Sequence, residues 1–395
     1  MKFMDLEAFG LSPIGDLVAI AGHDARFDRP YRHSAFVPHP LPTSVTLSPE
    51  TLIVMSEADR ALGHINARVQ FLPNPSLLVR PALATEAKAT SAIEGTYATL
   101  DEILAAEYVD GPLSREVREV RNYIEAALQA LSLIDTLPIS RRLIEPLHAI
   151  LVRGTRGDGY DAGSIRQKQV FVGEENAPVE DARFVPAPPG EILNTGFSDW
   201  ERWVNDENVV IPLLARVAMA HYQFETLHPF SDGNGRLGRL IITLQLIAAG
   251  ELTHPVLNLS AWFEPRKAEY IDALRDVSLT GDFDTWIRVF CVAVKERADA
   301  AVVTVNRLFE YRDSVVARAA EAGHRRIGIE VADFLIGRPV FSINELHRGV
   351  GIAINTATRR VAELEALGVI REVTGGSYGR LYFATEVARL LENPQ

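Results

Sequence analysis

The spacing of apolar residues along this chain is mainly that of α-helices. Apolar side chains recur every three or four positions, so each predicted helix has one face to bury. The pattern predicts long helices over residues 49–69, 114–135, 140–153, 211–227, 235–249, 266–278 and 283–322. A Ser or Thr followed three residues later by Glu is typical of a capping box, and three such pairs predict further helix starts at Thr99/Glu102, Ser198/Glu201 and Ser342/Glu345. We therefore expect a mainly α fold.

Two segments depart from this helical pattern. Between residues 163 and 189, alternating stretches at 169–172 and 183–185 predict a β-hairpin. Its loop is acidic, with Glu174, Glu175, Glu180 and Asp181. An isolated hairpin among helices is more typical of a flap over a site than of a core sheet. Residues 1–47 are rich in Pro and Gly with little periodicity, so we expect an arm that packs over a neighbouring domain or is partly ordered.

The C-terminal segment, residues 326–395, has its own order of elements. A helix is followed by residues 342–350, a second helix over about 355–367 and two short strands around 375–379. This order is typical of a winged helix-turn-helix domain. The segment holds eight Arg, no Lys and eight Asp plus Glu, and a net charge of zero is weak for a DNA reader. A DNA-binding patch of Arg359, Arg360 and Arg380 stays open, although an interaction or dimer role is favoured.

Composition narrows the class of protein further. Of 395 residues, 47% are hydrophobic and 23% charged, as in an ordinary globular protein. The net charge of −12 argues against a protein that coats polyanions, so a phosphate site would be local. The single cysteine, Cys291, lies in an apolar stretch, which excludes a disulfide framework and predicts a buried thiol. With Asp5 and Glu7 where a signal peptide is basic, and no apolar run of about 18 residues, we expect a cytoplasmic protein without a membrane span.

The stretch from His228 to Arg239, His-Pro-Phe-Ser-Asp-Gly-Asn-Gly-Arg-Leu-Gly-Arg, carries the candidate chemistry. It joins two predicted helices. Gly233 and Gly235, on either side of Asn234, let backbone N–H groups turn toward one point at the start of a helix, which suits a phosphate. A histidine, a Gly-Asn-Gly turn or an arginine pair is separately typical of a helix end, a turn or a solvated face. Their combination within twelve residues favours a functional site.

Three kinds of side chain in this stretch have distinct chemical uses. Arg236 and Arg239 are three residues apart on one helix face, so both can reach the anionic oxygens of a polyphosphate. Asp232 supplies hard oxygen ligands suited to Mg²⁺. His228 can take a proton near neutral pH from an attacking hydroxyl. Together they predict phosphoryl or nucleotidyl transfer.

This stretch resembles the signature of the Fic (fido) family, His-Pro-Phe-x-Asp/Glu-Gly-Asn-Gly-Arg-x-x-Arg, at every fixed position. Fic proteins typically transfer AMP from ATP to a Ser, Thr or Tyr hydroxyl of a protein. The resemblance implies a general base at His228, a Mg²⁺ ligand at Asp232 and a phosphate cradle at Gly233, Asn234 and Gly235. Arg236 and Arg239 would contact the outer phosphates, and Leu237 and Gly238, the variable positions between them, are counted with the nucleotide-binding stretch.

The same resemblance assigns roles to two further segments. The hairpin over 170–186 is similar to the family flap that aligns the target, with Arg183, Phe184 and Val185 near it. Tyr270 stands where relatives often have an aromatic residue near adenine, but Ile271 replaces a frequent second Tyr. The resemblance therefore implies phosphate binding more firmly than adenine specificity.

A second motif, Thr90-Ser91-Ala92-Ile93-Glu94-Gly95, resembles the inhibitory helix of the family subclass with an N-terminal inhibitory segment. By that resemblance Glu94 binds Arg239 and obstructs the γ-phosphate. An arginine neutralised by a carboxylate cannot also hold a phosphate productively. The alternative is that Gly95 merely caps a helix. The inhibitory interpretation, with Thr90 and Gly95 as its flanking motif residues, is favoured.

The sequence thus predicts four consecutive segments. An N-terminal arm and helical inhibitory segment (1–110) precede a Fic core (111–300), a linking helix (301–325) and a winged helix domain (326–395). The expected function is Mg²⁺-dependent AMP transfer from ATP to a protein target, which can include the chain itself, restrained by Glu94. Removal of AMP, a nucleotide-sensing DNA-binding regulator and a different phosphate donor remain open, as does a homodimer.

Overall fold

Helices make up most of this protein, with a pair of ten-residue strands near its N-terminus and shorter strands in its C-terminal segment. The computed structural model describes residues 3–24, 26–72, 74–106, 112–159, 161–173, 177–324, 326–374 and 379–392. They form two compact units that interleave along the sequence. The first unit comprises Met1–Asp59, Glu125–Ala249 and Phe263–Ala293, and the second comprises Arg60–Ile124, Gly250–Trp262 and Val294–Gln395. The four consecutive segments expected from the sequence stay a prediction.

The helices and strands are assigned to the units as follows. The first unit contains α1 (Leu6–Gly10), β1 (Gly15–Asp24), β2 (Arg29–Pro38), α6 (Arg141–Val152), α7 (Glu191–Asn205), α8 (Leu213–Leu227), α9 (Asn234–Ala248) and α11 (Lys267–Thr280). The second contains α3 (Val79–Ile93), α4 (Leu100–Ala105), α13 (Ile329–Gly337), β3 (Val340–Ser342), α14 (Ile343–Val350), α15 (Ile354–Ala366), β4 (Arg371–Glu372), β5 (Leu381–Phe383) and α16 (Thr385–Glu392). Four helices contribute residues to both units: α2 (Pro49–Gln70), α5 (Arg115–Leu133), α10 (Ser260–Phe263) and α12 (Phe283–Glu321).

Helix α8 is the central helix of the first unit. Twelve of its fifteen residues are buried, which is the pattern of a helix surrounded on all sides. Trp200 on α7 and Trp286 on α12 donate their indole N–H groups to carbonyls of α8, at 2.9 and 2.8 Å. Helix α9 also buries twelve of its fifteen residues. The loop that joins α8 to α9 is therefore anchored at both ends in buried helices.

The N-terminal segment forms an antiparallel hairpin that the sequence pattern did not predict. Strands β1 and β2 pair in register from Gly15 opposite Pro38 to Asp24 opposite Arg29. Only the first and last residues of β1 are buried. Because the alternation of apolar and polar residues is the main sign of a strand, this strand left little trace in the sequence.

The hairpin predicted between residues 163 and 189 is corrected to a single bridge. Val172 and Phe184 form one antiparallel bridge pair among the described residues of this segment, and Val179–Asp181 is a 3₁₀ turn. Pro186 has no N–H to extend the ladder. The predicted acidic loop residues Glu174 and Glu175 lie outside the described residues. We call residues 165–173 the first flap arm and residues 177–187 the second flap arm.

The second flap arm is held by the N-terminal segment. The amide of Phe36 donates to the carbonyl of Val185, and the amide of Met4 donates to the carbonyl of Ala182, both at 2.8 Å. Side chains from the two segments share one buried cluster, which contains Met4, Phe9, Ala35, Phe36, Val179, Ala182 and Val185. Residues distant in sequence therefore determine where this arm lies.

In the second unit, α13, β3, α14, α15, β4 and β5 follow one another in the order expected of a winged helix-turn-helix domain. Strand β5 lies between β3 and β4 and is antiparallel to both. The predicted capping box of Ser342 and Glu345 starts α14. The predicted turn residues 375–378 lie outside the described part of the chain. Strand β3 and helix α16 were not predicted.

The expected basic patch of this segment is corrected at one position. Arg360 is only 3% exposed and pairs with Glu363. Arg359 and Arg380 are exposed. Because a buried, paired guanidinium is not presented to a ligand, Arg360 cannot contribute to a DNA-binding surface.

The long helices agree with the sequence predictions to within two residues at each end. One predicted start is wrong, because Ser198 lies inside α7, which begins after Gly190 at φ 95°. The capping box of Thr99 and Glu102 is confirmed. Cys291 is fully buried, as predicted, and burial raises the pKa of its thiol to about 12. Over the described residues, no helix has the length and apolar character needed to cross a membrane.

Candidate active site

His228 ends helix α8 in a left-handed backbone conformation, with φ 49° and ψ 61°. Its amide donates to the carbonyl of Phe224 at 3.0 Å and closes the last helical turn. Its imidazole Nδ1 lies 3.3 Å from the carbonyl oxygen of Glu225. Since a carbonyl oxygen only accepts, Nδ1 carries the proton and Nε2 is the basic nitrogen of the neutral ring. In this tautomer Nε2 is the ring nitrogen that can accept a proton.

Asn234 closes the loop that follows. Its Oδ1 accepts from the amide of Phe230 at 2.9 Å, and its Nδ2 donates to the carbonyl of Phe230 at 2.8 Å. Both partners are buried. A buried amide that satisfies both backbone groups of one residue fixes the loop without help from solvent.

His148 on α6 also holds this loop in place. The amide of Gly163 donates to its Nδ1 at 2.9 Å, so Nε2 carries the proton and donates to the carbonyl of Asp232, also at 2.9 Å. The ring stacks on Phe230 with centroids 4.0 Å apart. Burial lowers the pKa of His148, which keeps the ring neutral in this role.

The first turn of α9 begins at Gly233, which has φ 77° and caps the helix without a side-chain hydrogen bond among the described residues. The first N–H groups of a helix have no partner within the helix, and they carry its positive dipole end. A Cβ on Gly233 would lie 3.3 Å from Leu151 and 3.4 Å from Val152, in addition to its strained φ. The turn is therefore built for glycine and for an anion at the helix start.

Asp232 lies beside this turn between two arginines. Its Oδ1 accepts from the amide of Gly233 at 2.7 Å, and its Oδ2 accepts from Nε of Arg156 at 3.1 Å. Arg236 approaches Oδ1 to 3.6 Å. Burial raises the pKa of Asp232, but the charges of Arg236 and Arg156 outweigh it, so the pKa is lowered below its ordinary value. Asp232 is thus a carboxylate at neutral pH.

Arg236 and Arg239 are both buried on α9, at 2% and 3% exposure. Between them, a Cβ on Gly238 would lie 2.5 Å from Oε1 of Glu225 and 3.3 Å from Cε1 of His221. Burial and the nearby charge of Arg239 lower the pKa of His221 to about 3. The glycine permits close packing of α8 on α9, and this packing places a permanent positive charge inside the unit.

Tyr270 lies in a buried aromatic group next to these helices. It is 4% exposed, its hydroxyl lies 2.7 Å from Nε2 of His221, and it stacks on Phe263 at 4.4 Å. Trp286 is 6.1 Å away. The expected adenine contact of Tyr270 stays a prediction.

The three flap residues have different environments. Arg183 is exposed and Phe184 is half-buried, and their amides donate to the carbonyl of Val172 at 2.8 and 3.1 Å. Val185 is fully buried in the cluster with Phe36. Val185 therefore anchors the arm, while the side chains of Arg183 and Phe184 lie nearer the surface.

The inhibitory motif of the sequence lies in the second unit, at the end of α3. The amide of Gly95 donates to the carbonyl of Ala92 at 3.0 Å, and the amide of Thr96 donates to that of Ser91 at 2.9 Å, with Gly95 at φ 86°. This is a Schellman helix end, which leaves Glu94 at the C-cap. Thr90 is fully buried. Gly95 thus caps helix α3, which is the alternative interpretation of this motif. The pairing of Glu94 with Arg239 stays a prediction.

Sequence reasoning missed three residues that hold the site: His148, Arg156 and Arg166. Each belongs to a segment without a motif, and Arg156 lies in a stretch that reads as a glycine-rich loop. Arg156 is exposed and pairs with Asp232, whereas Arg166 is fully buried, and nothing local in the sequence distinguishes these two loop arginines. Among the described residues, no group of three His, Cys, Asp or Glu side chains is placed to hold a metal ion by itself.

Two family models match the chain. That of the Fic/DOC family N-terminal region matches residues 52–132, and that of the Fic/DOC family matches residues 138–246. The second match covers α6 to α9, including the loop from His228 to Arg239. These two segments of the chain are similar to the Fic/DOC family.

Relatives with assigned names match part of the chain. Protein adenylyltransferase fic-1 of Caenorhabditis elegans is 31% identical over 216 residues, which are 50% of this chain and 37% of that protein. Protein adenylyltransferase Fic of Drosophila erecta is 26% identical over 220 residues, which are 55% of this chain and 40% of that protein. The chain spans about two fifths of the length of these relatives.

Solved structures agree with the fold. A Fic family protein from Desulfovibrio desulfuricans superposes with a TM-score of 0.54 at 22% identity, covering 86% of this chain and 97% of that chain. Fic-1 from C. elegans superposes with a TM-score of 0.50 at 26% identity, covering 64% of this chain and 72% of that chain. At 22% identity the first likeness concerns the fold alone.

Proposed function

We propose that this protein is an adenylyltransferase that moves AMP from ATP to a hydroxyl group of a protein, with Glu94 as its inhibitor. The observation that carries the proposal is the arrangement of His228 beside the α9 N-terminus. A ring whose Nδ1 donates to a carbonyl presents Nε2 as base, five residues before the anion-binding turn begins at Gly233. Relatives named protein adenylyltransferase support the choice of AMP as the group transferred.

The reaction follows from these residues. Nε2 of His228 takes the proton of the acceptor hydroxyl while the oxygen of that hydroxyl attacks the α-phosphorus of ATP. The bond between the α-phosphorus and the bridging oxygen breaks, and pyrophosphate leaves. The first N–H groups of α9 and the guanidinium of Arg236 hold phosphate oxygens as charge develops on them.

The residues present fit a magnesium ion shared with the phosphates. Asp232 has a lowered pKa and hard oxygen donors, and one carboxylate with substrate phosphates is a common protein contribution to a Mg²⁺ site. When bound, Mg²⁺ neutralises phosphate charge. Arg156 and Arg236 share Asp232 in this structure, so its ionised state does not depend on the ion.

Inhibition by Glu94 is proposed from its charge and its place in the motif. A carboxylate paired with Arg239 would keep that guanidinium from the γ-phosphate and leave ATP in an unproductive position. Helix α3 ends sharply at Gly95, which sets Glu94 at a defined position. Relief of this pairing would activate transfer.

The test uses Mg²⁺ and ATP labelled at the α-phosphate with the whole chain and a cell lysate. We expect label on protein to rise at least about tenfold in Glu94→Gly, since loss of a charged partner corresponds to about 1.4 kcal/mol or more. Glu94→Gln separates charge from shape and should activate as well. His228→Ala should abolish the label, whereas His64→Ala, at an exposed position on α2, should not.

Other results would overturn the proposal. Label from γ-labelled ATP would indicate phosphoryl transfer. Absence of label in every variant with retained nucleotide binding would exclude AMP transfer to these acceptors. Release of AMP from a labelled target by the unsubstituted chain would make removal of AMP its main activity.

A further inference from the structure

The second residue of the first flap arm is a completely buried arginine, Arg166, which is 0% exposed. Its guanidinium donates to four backbone carbonyls: Leu227 at 3.4 Å, His228 at 2.8 Å, Lys168 at 3.1 Å and Ala187 at 2.6 Å. Burial lowers its pKa to about 10, so it is charged at neutral pH. A planar guanidinium with five donors suits several acceptors at fixed angles.

Two of these carbonyls belong to the end of α8. The last carbonyls of a helix have no partner within it and carry its negative dipole end. Arg166 brings a positive charge to this end through Leu227 and His228. Its own amide donates to the carbonyl of Pro229 at 2.9 Å, which adds a third contact to the chain around the proposed base.

The other two carbonyls belong to the flap arms, Lys168 to the first and Ala187 to the second. Gln169 adds one cross-link, since its side chain donates to the carbonyl of Pro186 at 2.9 Å. The arms share only one bridge pair among their described residues. Arg166 therefore joins the segment that carries His228 to both arms through one side chain.

We propose that Arg166 is a positioning residue that sets His228 against the flap arms during transfer. This inference rests on the proposed AMP transfer. Arg166 need not touch either substrate. It determines the separation between the nitrogen that takes the proton and the segment against which the acceptor would be presented.

The phosphate cradle does not depend on this link. Asn234 and His148 hold the loop from Phe230 to Gly233 through their own buried hydrogen bonds. Loss of Arg166 should therefore leave nucleotide affinity nearly unchanged and lower the rate of transfer. A residue needed only for folding would lower the amount of folded protein and change neither the affinity nor the rate of each folded molecule.

The experiment compares Arg166→Lys and Arg166→Met with a matched control, Arg216→Met. Arg216 lies in the same unit on α8 and also donates to three backbone carbonyls, those of Trp203, Val204 and Asp206. None of these three bonds reaches the flap arms or the end of α8. Each substitution is made in the whole chain, with and without Glu94→Gly.

Two quantities are measured at equal folded protein, the affinity for an ATP analogue that is not cleaved and the rate of label transfer from α-labelled ATP at saturation. We expect Arg166→Met to lower the rate about 10²-fold, the scale of a misplacement of about 1 Å, with affinity changed less than about threefold. Arg166→Lys keeps the charge with fewer donors, so its rate should lie between those of Arg166→Met and the unsubstituted chain. Arg216→Met should leave both quantities unchanged.

Hydrogen exchange provides a readout that does not require activity. The amides of Val172 and Phe184 should exchange faster in both Arg166 variants and not in Arg216→Met. An unchanged rate per folded molecule, an equal loss of affinity and rate, or equally faster exchange in the Arg216 control would overturn the positioning role. If no variant transfers label but exchange at the two amides still rises, AMP transfer fails while the link between the flap arms and α8 stands. If exchange does not rise, the link itself fails.

Discussion

The loop from His228 to Arg239 and the flap arms lie in the same unit but are held in different ways. In the loop, Asn234 bonds to Phe230, only four residues earlier. The second flap arm is held by Phe36 and Met4, which are far away in the sequence. A loop held by hydrogen bonds between residues close in sequence is visible as a compact motif. A segment held by residues distant in sequence is not.

The comparison also separates two tasks within one reaction. In the proposed reaction, the loop and the start of α9 provide the groups that hold phosphate and accept a proton. The flap arms would present the acceptor, and their position depends on packing and on main-chain bonds. Substitutions in the loop should lower transfer because a reacting or binding group is lost. Substitutions in the flap arms should lower it because the arms lose their fixed position.

The largest effect is expected from His228→Ala. Removing a positioned base should lower AMP transfer about 10²- to 10⁴-fold, with nucleotide affinity retained because the α9 N-terminus is unchanged. Single-turnover transfer from α-labelled ATP and equilibrium titration with an uncleaved analogue measure the two quantities. Equal transfer by this variant and the unsubstituted protein would remove His228 from the mechanism.

Phe36→Ala tests the distant support of the flap. Phe36 is fully buried between Phe9 and Phe184, with ring centroids 5.2 and 6.1 Å away, so its truncation should cost about 3–5 kcal/mol. Urea unfolding measures the loss, and hydrogen exchange should be accelerated most at the amide of position 36, which donates to the carbonyl of Val185. The control is Phe3→Ala, because Phe3 is 53% exposed in the same segment. Similar losses in both variants would contradict the assigned role.

Asn234→Ala tests the local closure of the loop. It leaves the buried amide and carbonyl of Phe230 without their partner, which should cost about 2–4 kcal/mol and weaken nucleotide binding at least about tenfold. Asn234→Asp keeps the acceptor and loses the donor, so we expect an intermediate effect. Urea unfolding and analogue titration are the measurements. Unchanged nucleotide affinity in Asn234→Ala would show that the cradle does not need this closure.

His221 on α8 predicts how the stability of the fold depends on pH. Its pKa is lowered to about 3 by burial and by the charge of Arg239, whereas in the unfolded chain it is about 6.5. Below pH 6.5 the unfolded state binds a proton that the native state does not. The stability from this site is therefore complete above pH 6.5 and declines toward pH 3, by up to about 1.4 kcal/mol per pH unit.

The measurement is urea unfolding from pH 7 to pH 4 for the unsubstituted chain and for His221→Gln. Removal of the titrating ring should make the loss of stability with falling pH shallower by up to about 1.4 kcal/mol per pH unit. His64→Gln, at an exposed position, should leave the slope unchanged. A parallel decline in His221→Gln and the unsubstituted chain would contradict the lowered pKa.

Much of the helical fold could be predicted from the sequence, because buried helices carry their period locally. The sequence pattern failed where order is non-local. Ser198 matched a capping box by chance within α7, and β1 was missed because its burial hardly alternates. The predicted flap hairpin was too long, since Pro186 cannot extend a ladder.

The candidate site divides in the same way. The members of the motif, from His228 to Arg239, could be chosen from residue type and spacing. Arg166 and His148 could not, because their roles arise from burial against carbonyls of other segments. A sequence shows which groups can do chemistry more readily than it shows which groups hold them in place.

The single cysteine has a practical consequence for studies of the flap. Cys291 is fully buried, and with a thiol pKa of about 12 it supplies almost no thiolate at neutral pH. A cysteine introduced at the exposed Arg183 would therefore be the thiol that a maleimide dye labels in the folded protein. The natural chain thus serves as its own unlabelled background, and a dye at this position would report the motion of the second flap arm by fluorescence without further cysteine removal.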